Sequence, residues 1–483
     1  MVFSSYTFLI FLITVVAVFY LLKYCRLIAL SQWMLLAASL VFYAWWKLEY
    51  LPILLGSILI NFGLSKLMIL SNPGLIGKKP ILIVGITFNI LLLGVYKYTD
   101  FILENLNLVV PNNIPLPGFV LPLALSFFTF QQIAFLVDTC KGETKGYNFL
   151  SYGLFVAFFP QLVAGPIVHH KKMVLQFENN GLNSQINYES IFKGLILFII
   201  GLSKKVIIAD NLGILVDSGY SSVETLNFLQ SWVTTLSYTL QLYFDFSGYS
   251  DMAIGIALMF NIQLPVNFNS PYRAINIQEF WRRWHMTLSQ FLSQYIYQPL
   301  GGNRIGKLRN YLNLLIVFLI GGIWHGAGWT FIVWGAMHAL ASIFIRYWWK
   351  LNIQLPRTLA ILLTFSFIHM TWIPFKADDF NSAITMFQNL WDVNFTLLSP
   401  QDIIQNLKSL GLDKDSTMEA LCHLGLILGA LISVFIVPNS LKLMKRYEVK
   451  SSFFQTLAVA LLFCLCLILI NSSSPAKFLY FDF

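Results

Sequence analysis

Stretches of about 20 apolar residues recur along almost the whole chain and limit what it can fold into. A helix of that length crosses the ~30 Å hydrocarbon core of a bilayer, where helices satisfy their own backbone hydrogen bonds. Only 11% of the 483 residues are charged and 57% are hydrophobic, whereas a soluble domain has about 25% charged residues. The sequence therefore predicts an all-α integral membrane protein.

The apolar runs predict a polytopic bundle of about 11–13 transmembrane helices. The expected spans lie near residues 6–22, 31–46, 50–70, 80–98, 118–138, 191–214, 226–244, 308–325, 328–348, 358–374, 418–437 and 453–471. Residues 147–167 and 281–300 are broken by prolines and glycines or mix polar with aromatic side chains. Both predict re-entrant or interfacial helices, because irregular backbone at membrane depth must be buried in protein or line a wet cavity.

Basic residues predict the orientation of the chain. Loops with Lys23, Lys78 and Lys141 alternate with the loop 100–118, which has two acidic residues and no Lys or Arg. The positive-inside rule places the basic loops in the cytoplasm and the N-terminus outside, with the run 6–22 as a spanning helix. The net charge of +9 comes from such loops. The expected partner is therefore membrane lipid, and binding to nucleic acid is not expected.

Neither an internal repeat nor a linker divides the sequence, which predicts a single domain over residues 1–483. Its expected parts are N-terminal helices, an approximate core and C-terminal helices, at 1–117, 120–350 and 351–483. Within the last part, residues 378–391 follow an aspartate cap and place four large apolar side chains on one face. That pattern is typical of an amphipathic helix lying on the outer membrane surface.

His325 has the sequence context best suited to chemistry among the seven histidines. It lies in Gly321–Trp329, where glycines on both sides interrupt two apolar helices and let a substrate approach closely. An ionisable group is costly in lipid, so a histidine at such a break is expected to face a cavity. A structural histidine bonded to a carbonyl is the alternative, but packing alone would not require an ionisable side chain.

His285 is the second candidate catalytic residue, on a segment that the charge pattern places toward the cytoplasm. An interfacial histidine beside Arg282 and Arg283 is the competing interpretation. The other histidines are interpreted as core or loop residues: His169, His170, His338, His369 and His423.

Six basic residues lie between Ser270 and Asn310. Arginines bind phosphate well, so four of them are candidate contacts for a donor phosphate: Arg273, Arg282, Arg283 and Arg304. The positive-inside signal alone is the other explanation. Supporting roles near the histidines are expected for Asp245, Asp251, Glu279, Trp284 and Trp324. The aspartates could orient a histidine or pair with an arginine, and helix capping by Ser250 or Asp251 is the alternative.

Metal-ligand spacings, phosphate loops and dinucleotide fingerprints have no credible context here, so neither a metal nor a bound cofactor is expected. Acid and base catalysis by histidine remains. It suits acyl transfer from a thioester, because a neutral imidazole need only take the proton of the attacking hydroxyl.

The chain closely resembles the membrane-bound O-acyltransferase family, specifically the alginate O-acetyltransferase branch of bacteria. The resemblance rests on residues 121–131, 158–167, 244–254, 267–272, 279–289, 299–304 and 321–335. It implies a helical bundle around a central two-sided funnel. It also implies that His325 is catalytic and that His285 is the second signature polar residue.

The resemblance further implies transfer of acetyl from acetyl-CoA, or another cytoplasmic acetyl thioester, to an extracytoplasmic polysaccharide. An alginate-type exopolysaccharide is the first expectation, and peptidoglycan is the other acceptor. The implied setting is the bacterial cytoplasmic (inner) membrane, crossed several times. A separate extracytoplasmic acetyltransferase and a polysaccharide synthesis or export complex are the implied partners.

Two alternatives stay open. A neighbouring branch of the family transfers D-alanine to teichoic acid, so transfer of D-alanyl or another acyl group to a cell-wall polymer is the first. A secondary transporter is the alternative of another class, because polar residues at broken helices also build midplane binding sites.

Overall fold

The computed structural model describes residues 1–71, 77–111, 113–144, 147–180, 186–393, 400–410, 417–449, 453–472 and 479. Regular structure in these residues is helical, as the composition predicted. The first helices are α1 Tyr6–Tyr24, α2 Ile28–Ala44, α3 Leu51–Leu70, α4 Lys78–Lys97, α5 Thr99–Asn107, α6 Leu125–Cys140, α7 Phe149–Ala157, α8 Phe159–Leu162, α9 His170–Leu175, α10 Tyr188–Ser203 and α11 Asp210–Ser221.

The later helices include both long spans and short broken segments. They are α12 Phe228–Met259, α13 Ile277–Trp281, α14 Met286–Leu292, α15 Lys307–His325, α16 Trp329–Trp348, α17 Arg357–Lys376, α18 Phe380–Asn389, α19 Pro400–Lys408, α20 Thr417–Ile436, α21 Ser440–Val449 and α22 Phe453–Ser472. Short 3-10 turns lie at Leu48–Tyr50, Val223–Thr225, Pro271–Arg273 and Trp349–Leu351, and π-helical turns at Gln176–Asn180, Lys204–Ala209 and Ser293–Tyr297.

Eight helices in the described part of the chain are long and apolar enough to cross a membrane. They are Tyr6–Tyr24, Leu48–Leu70, Lys78–Lys97, Lys307–His325, Trp329–Leu351, Arg357–Lys376, Thr417–Ile436 and Phe453–Asn471, each at a predicted span. The other predicted spans are helical but shorter, interrupted or more polar, in α2, α6, α10–α11 and α12. The prediction of a polytopic all-α membrane protein is confirmed, and the funnel stays a prediction.

The described chain groups into two compact units. Unit 1 comprises Met1–Phe198 and Ser250–Val266, and unit 2 comprises Ile199–Tyr249 and Asn267–Phe483. The single domain with its internal divisions therefore stays a prediction. Asp379 caps α18 by accepting a hydrogen bond from the Ser382 N–H at 2.7 Å, within the predicted surface helix.

Buried polar side chains join the helices of unit 1. Asn61 on α3 and Asn89 on α4 exchange amide hydrogen bonds of 3.3 and 2.6 Å. Gln132 on α6 donates to Ser57 on α3 at 2.9 Å and accepts from Tyr152 on α7 at 3.0 Å. Such bonds hold membrane helices together, where burial of apolar surface gives little drive for association.

The segment predicted to be re-entrant at residues 147–167 forms the short helices α7 and α8. Nearly every residue from Ser151 to Val168 is buried, so its broken backbone is enclosed by protein. Pro160 lies in the first turn of α8, and a Cβ on Gly165 would lie 2.4 Å from the Gln161 Cα. A side chain at Gly165 would therefore collide with the preceding turn.

Helix α12 is longer than predicted. The apolar run was expected to end near residue 244, with helix capping by Ser250 or Asp251 as the alternative role. In the structure α12 continues to Met259, so Ser250 and Asp251 lie inside it and do not cap it. The prediction of a helix end there was wrong, because the apolar pattern resumes at Met252 and sustains the helix.

Helices α15 and α16 of unit 2 form an antiparallel hairpin whose backbones lie in close contact. A Cβ on Gly322 would lie 2.3 Å from the Phe331 carbonyl oxygen, and one on Gly335 would lie 2.5 Å from that of Phe318. Small residues let membrane helices approach this closely. The turn contains Gly326 and Gly328 in extended conformation, which ends α15 at His325 and starts α16 at Trp329.

We expect Gly335→Ala to destabilise the protein, because its methyl group would force the two helices apart. Overpacking of this kind costs about 1–3 kcal/mol. The melting temperature of the purified protein in detergent should fall. Gly63→Ala is the matched control, since a Cβ there meets no atom within 4 Å. A melting temperature equal to that of the wild type in Gly335→Ala would contradict the close packing.

Candidate active site

A cavity of about 280 Å³ in unit 2 joins His325 to the basic residues Arg282 and Arg346. Its lining comes from one face of α15, one face of α16 and the broken segment of α13 and α14. The lining residues are Gln278, Trp281, Arg282, Leu288, Ser289, Leu292, Ser293, Tyr297, Leu314, Val317, Phe318, Gly321, His325, Trp334, Ser342 and Arg346. We call this cavity the His325 slot.

The residues that line the slot are spread along α16. Trp334 and Arg346 lie on that helix at a separation of about 18 Å along its axis, at ~1.5 Å per residue. Arg282 is exposed, whereas His325 retains only 3% of its accessible surface, so the slot connects the protein surface with a buried imidazole.

Aromatic rings enclose the imidazole of His325. Its ring centroid lies 4.9 Å from that of Trp324, 5.1 Å from Trp334 and 5.3 Å from Phe375, with the Trp334 ring nearly perpendicular at 87°. The ring of His285 lies 6.4 Å away. The two histidines predicted from the sequence are therefore neighbours, although 40 residues separate them.

His285 is held by its backbone and by Asn267. It has φ +42° and ψ +52°, a left-handed conformation that is rare outside glycine and often found at functional sites. Its Nδ1 lies 3.2 Å from the Asn267 Oδ1, which also accepts the Thr287 N–H and hydroxyl. An oxygen that accepts a backbone N–H requires a donor at Nδ1, so neutral His285 carries its lone pair on Nε2.

Burial also fixes the charge of His285. The side chain is fully buried in unit 2, and this burial lowers its pKa to about 3. The imidazole is therefore uncharged near neutral pH.

The turn before His285 is fixed by Glu279. Its carboxylate accepts the Ile275 N–H at 2.9 Å and two hydrogen bonds from Arg283, at 3.0 and 2.7 Å. Asn276 caps the same short helix by accepting the Glu279 N–H at 2.9 Å. Trp284 is buried against Phe280, with ring centroids 5.6 Å apart. Glu279 and Trp284 therefore support the site through backbone and packing.

The four predicted phosphate contacts have different surroundings. Arg273 donates to the Val434 carbonyl at 3.1 Å and to that of Val437, at the end of α20. Arg283 is bonded to Glu279 and to the Asn269 carbonyl, and Arg304 is exposed outside the slot lining. Arg282 alone of the four lines the slot.

The two aspartates have partners or positions other than those expected. Asp245 is buried and forms a 2.8 Å ion pair with Lys205, which also pairs with Asp210 at 2.7 Å. Its other oxygen accepts the Leu479 N–H at 3.0 Å. Asp245 therefore pairs with a lysine, where a histidine or arginine was expected. Asp251 is buried on the same helix but belongs to unit 1.

Two further histidines of unit 2 have local structural partners. The Nδ1 of His338 accepts the Trp281 indole N–H at 3.2 Å, and the Nδ1 of His369 lies 2.8 Å from the Thr239 hydroxyl. Neither lines the slot. Their interpretation as core residues stays a prediction that this geometry supports.

Asp138, His169 and His170 of unit 1 form the one group of metal-ligand type in the described residues. Both Nε2 atoms lie near the same carboxylate oxygen, at 3.0 and 2.9 Å. The Nδ1 of His169 accepts the Lys171 N–H, so its Nε2 must carry the proton. A metal ligand would need an electron pair on this Nε2 atom. We therefore interpret the three side chains as a hydrogen-bonded cluster.

Several slot residues were not predicted from the sequence: Gln278, Ser289, Trp334 and Arg346. Trp334 and Arg346 both lie within the predicted span 328–348, which gave no reason to single them out. Trp334, His338, Ser342 and Arg346 follow one another at intervals of four residues, which could have signalled one helical face, but not which neighbour that face meets.

Comparison with known proteins gives the same class. The model of the membrane-bound O-acyltransferase family matches residues 4–372. The chain is 43% identical to a peptidoglycan O-acetyltransferase of Helicobacter pylori, over 93% of this chain and 91% of that protein. It is 36% identical to a probable alginate O-acetylase of Pseudomonas aeruginosa, over 83% and 76%. A teichoic acid D-alanyltransferase of Bacillus subtilis is 27% identical, over 54% and 69%.

The fold and the slot define an integral membrane enzyme with a buried histidine reached from a basic mouth. The chain belongs to the membrane-bound O-acyltransferase family and is an acyltransferase.

We expect His285→Asn to make the stability of the protein less sensitive to acid pH. The folded protein keeps His285 neutral, whereas the unfolded chain protonates it below a pH of about 6.5. The free energy of unfolding therefore falls as the pH drops from about 6.5 toward 3. Above a pH of about 6.5 the stability that depends on neutral His285 is fully present. The melting temperature should drop less between pH 7.5 and 5 in the variant than in the wild type.

Asparagine is the matched replacement because it tolerates left-handed backbone. Equal pH dependence of the two melting temperatures would refute a buried neutral His285.

Proposed function

We propose that this enzyme transfers an acetyl group from a cytoplasmic acetyl thioester to hydroxyls of an extracytoplasmic polysaccharide. The observation that carries the proposal is the His325 slot, which joins an exposed arginine to a buried imidazole. In this proposal His325 is the catalytic base, His285 assists it, and Arg282 and Arg346 bind the donor.

The shape of the slot suits a thioester carried on a long thin arm. Its volume is at the lower limit of ligand pockets, which hold ~300–1,000 Å³, so a nucleotide or folded domain must remain outside. The pantetheine arm of acetyl-CoA, or of an acylated carrier protein, is extended and ends in the reactive thioester. Arg282 and Arg346 both line the slot, and their guanidinium groups suit the phosphate of that arm.

The chemistry proposed for His325 needs no group beyond the two substrates. The acceptor hydroxyl attacks the thioester carbonyl carbon while the imidazole takes the hydroxyl proton. Collapse of the tetrahedral intermediate breaks the C–S bond, and the thiolate receives the proton. The products are an O-acetyl ester and a free thiol, and general base help of this kind contributes ~10²–10⁴-fold.

Two polysaccharide acceptors fit the family, and similarity favours peptidoglycan. Identity to the peptidoglycan O-acetyltransferase is 43% over 93% of the chain, against 36% over 83% for the probable alginate O-acetylase. The latter supports an alginate-type exopolysaccharide as the second candidate. Transfer of D-alanyl is weaker, since the teichoic acid enzyme is similar over only 54% of the chain.

The same similarities support the remaining parts of the proposal. The enzyme lies in the bacterial inner membrane with its N-terminus outside, as the basic loops indicate. A separate extracytoplasmic acetyltransferase completes delivery to the polymer, in contact with the synthesis or export complex. A transporter would instead move an intact solute.

The test uses purified protein in liposomes, with radiolabelled acetyl-CoA on the arginine side and, on the other, a polysaccharide acceptor together with the separate extracytoplasmic acetyltransferase. Label should appear on the acceptor, and His325→Ala should reduce the rate by ~10²–10⁴-fold without changing the melting temperature. Muropeptides and alginate, offered separately, distinguish the acceptors. Retained transfer in His325→Ala, or movement of intact coenzyme A without transfer, would reject the proposal.

We also expect Arg282→Gln to raise the KM for acetyl-CoA by roughly 5- to 30-fold, because a charge-assisted hydrogen bond contributes ~1–2 kcal/mol at an exposed site. The kcat should change little. Arg309→Gln is the matched control, since Arg309 is an exposed arginine of α15 outside the slot lining. Equal KM values for the two variants would show that donor binding does not use Arg282.

A further inference from the structure

The indole N–H of Trp334 is a buried hydrogen-bond donor whose role the chemistry above leaves open. Trp334 retains 1% of its accessible surface and lines the His325 slot. Among the described residues, nothing accepts a hydrogen bond from its Nε1. A buried donor without an acceptor costs about 1–3 kcal/mol, so its presence in a well-packed helix hairpin calls for an explanation.

Other tryptophans of unit 2 show that the fold can satisfy an indole. The Nε1 of Trp281 donates to His338 at 3.2 Å, and that of Trp232 donates to the Leu390 carbonyl at 3.2 Å. The Trp334 ring instead is packed among aromatic rings, including His338 at 4.7 Å and Phe375 at 5.1 Å. Its orientation is therefore fixed by packing, and none of the described residues accepts a hydrogen bond from its Nε1.

The Trp334 ring lies beside the His325 imidazole, where the proposed reaction takes place. The two rings are 5.1 Å apart and nearly perpendicular, and both line the slot at the end remote from Arg346. A thioester carbonyl beside the His325 imidazole therefore lies within reach of the Trp334 N–H. A fixed donor in a water-poor site stabilises developing negative charge strongly, because no reorganisation is needed during the reaction.

We propose that the Trp334 indole N–H binds the thioester carbonyl oxygen and stabilises the oxyanion of the tetrahedral intermediate. This inference rests on the proposed function. When the hydroxyl attacks, the carbonyl π electrons move to this oxygen, and the N–H donates to it without transferring its proton. When the intermediate collapses, the electrons re-form the C=O bond and the thiolate leaves. Trp334 is then a catalytic residue with no change in its own protonation.

Two other slot donors are rivals for this role. Gln278 Nε2 and Ser289 Oγ line the same cavity and lack hydrogen-bond partners among the described residues. Both lie on the broken segment of α13 and α14, whereas Trp334 is in direct ring contact with His325. Ring contact with the imidazole favours Trp334, and the rivals enter the test.

The test replaces Trp334 by 3-benzothienylalanine, which keeps the ring shape and removes only the N–H. With acetyl-CoA as donor, kcat should fall by ~10²–10³-fold, the usual effect of losing one oxyanion donor, while KM and melting temperature stay unchanged. The same replacement at Trp232, which lies outside the slot, should change kcat by less than ~3-fold. Gln278→Leu and Ser289→Ala are measured beside them.

A second measurement does not depend on turnover. Acetyl-CoA labelled with ¹³C at the carbonyl, bound to an inactive His325→Ala background, should show a C=O stretch at lower frequency than in solution. That shift should disappear when Trp334 is also replaced by 3-benzothienylalanine. It reports the hydrogen bond directly, which a structural role of the ring would not produce.

Several results would overturn the inference. They are a kcat within ~3-fold of wild type in the Trp334 isostere, a change in KM alone, a C=O band that does not respond, or the main kcat loss in the Gln278 or Ser289 variant. If one of these results is obtained and His325→Ala is inactive in the same assays, the inference about Trp334 fails but the proposed function stands. If His325→Ala remains active, the proposed function itself fails.

Discussion

The close contact of the α15 and α16 backbones is the interaction on which the candidate site depends. Gly322 and Gly335 leave no Cβ between the helices, and the extended glycines of the turn end α15 at His325. The imidazole is thereby fixed at a helix terminus, with Trp334 of the partner helix across it. One face of each helix is then free to form a wall of the slot.

In a water-poor interior, a buried polar group needs a hydrogen-bond or ion-pair partner. Asn61 and Asn89 satisfy each other, Glu279 bonds Arg283, and Asp245 pairs with Lys205. These pairs cross between helices or fix a turn, and unpaired they would be costly. Lining the slot, in contrast, are the buried donors of Gln278, Ser289 and Trp334, together with two arginines.

Among the described lining residues there is no carboxylate. A cavity whose polar lining consists mainly of donors and cations suits a ligand rich in carbonyl and phosphate oxygens. An acyl thioester on a phosphorylated arm has that chemistry. Membership of the O-acyltransferase family indicates an acyl donor, and the lining of the slot is compatible with one.

The sequence by itself determined the membrane class, because the length of apolar runs is a local signal, and eight of its twelve predicted spans are long apolar helices. It also singled out His325 and His285 as candidates, from glycine breaks and from ionisable residues in apolar surroundings. The sequence did not predict the full length of α12, because Asp245 and Asp251 interrupt the apolar pattern although the helix continues. Only the tertiary structure decided which arginines line the slot: Arg273 and Arg283 belong to the same basic stretch of the sequence as Arg282, but their guanidinium groups bond elsewhere. Trp334 was likewise hidden in an apolar run. Whether a side chain lies against a cavity depends on the helix packed opposite it, and that neighbour is not encoded in the spacing of one segment.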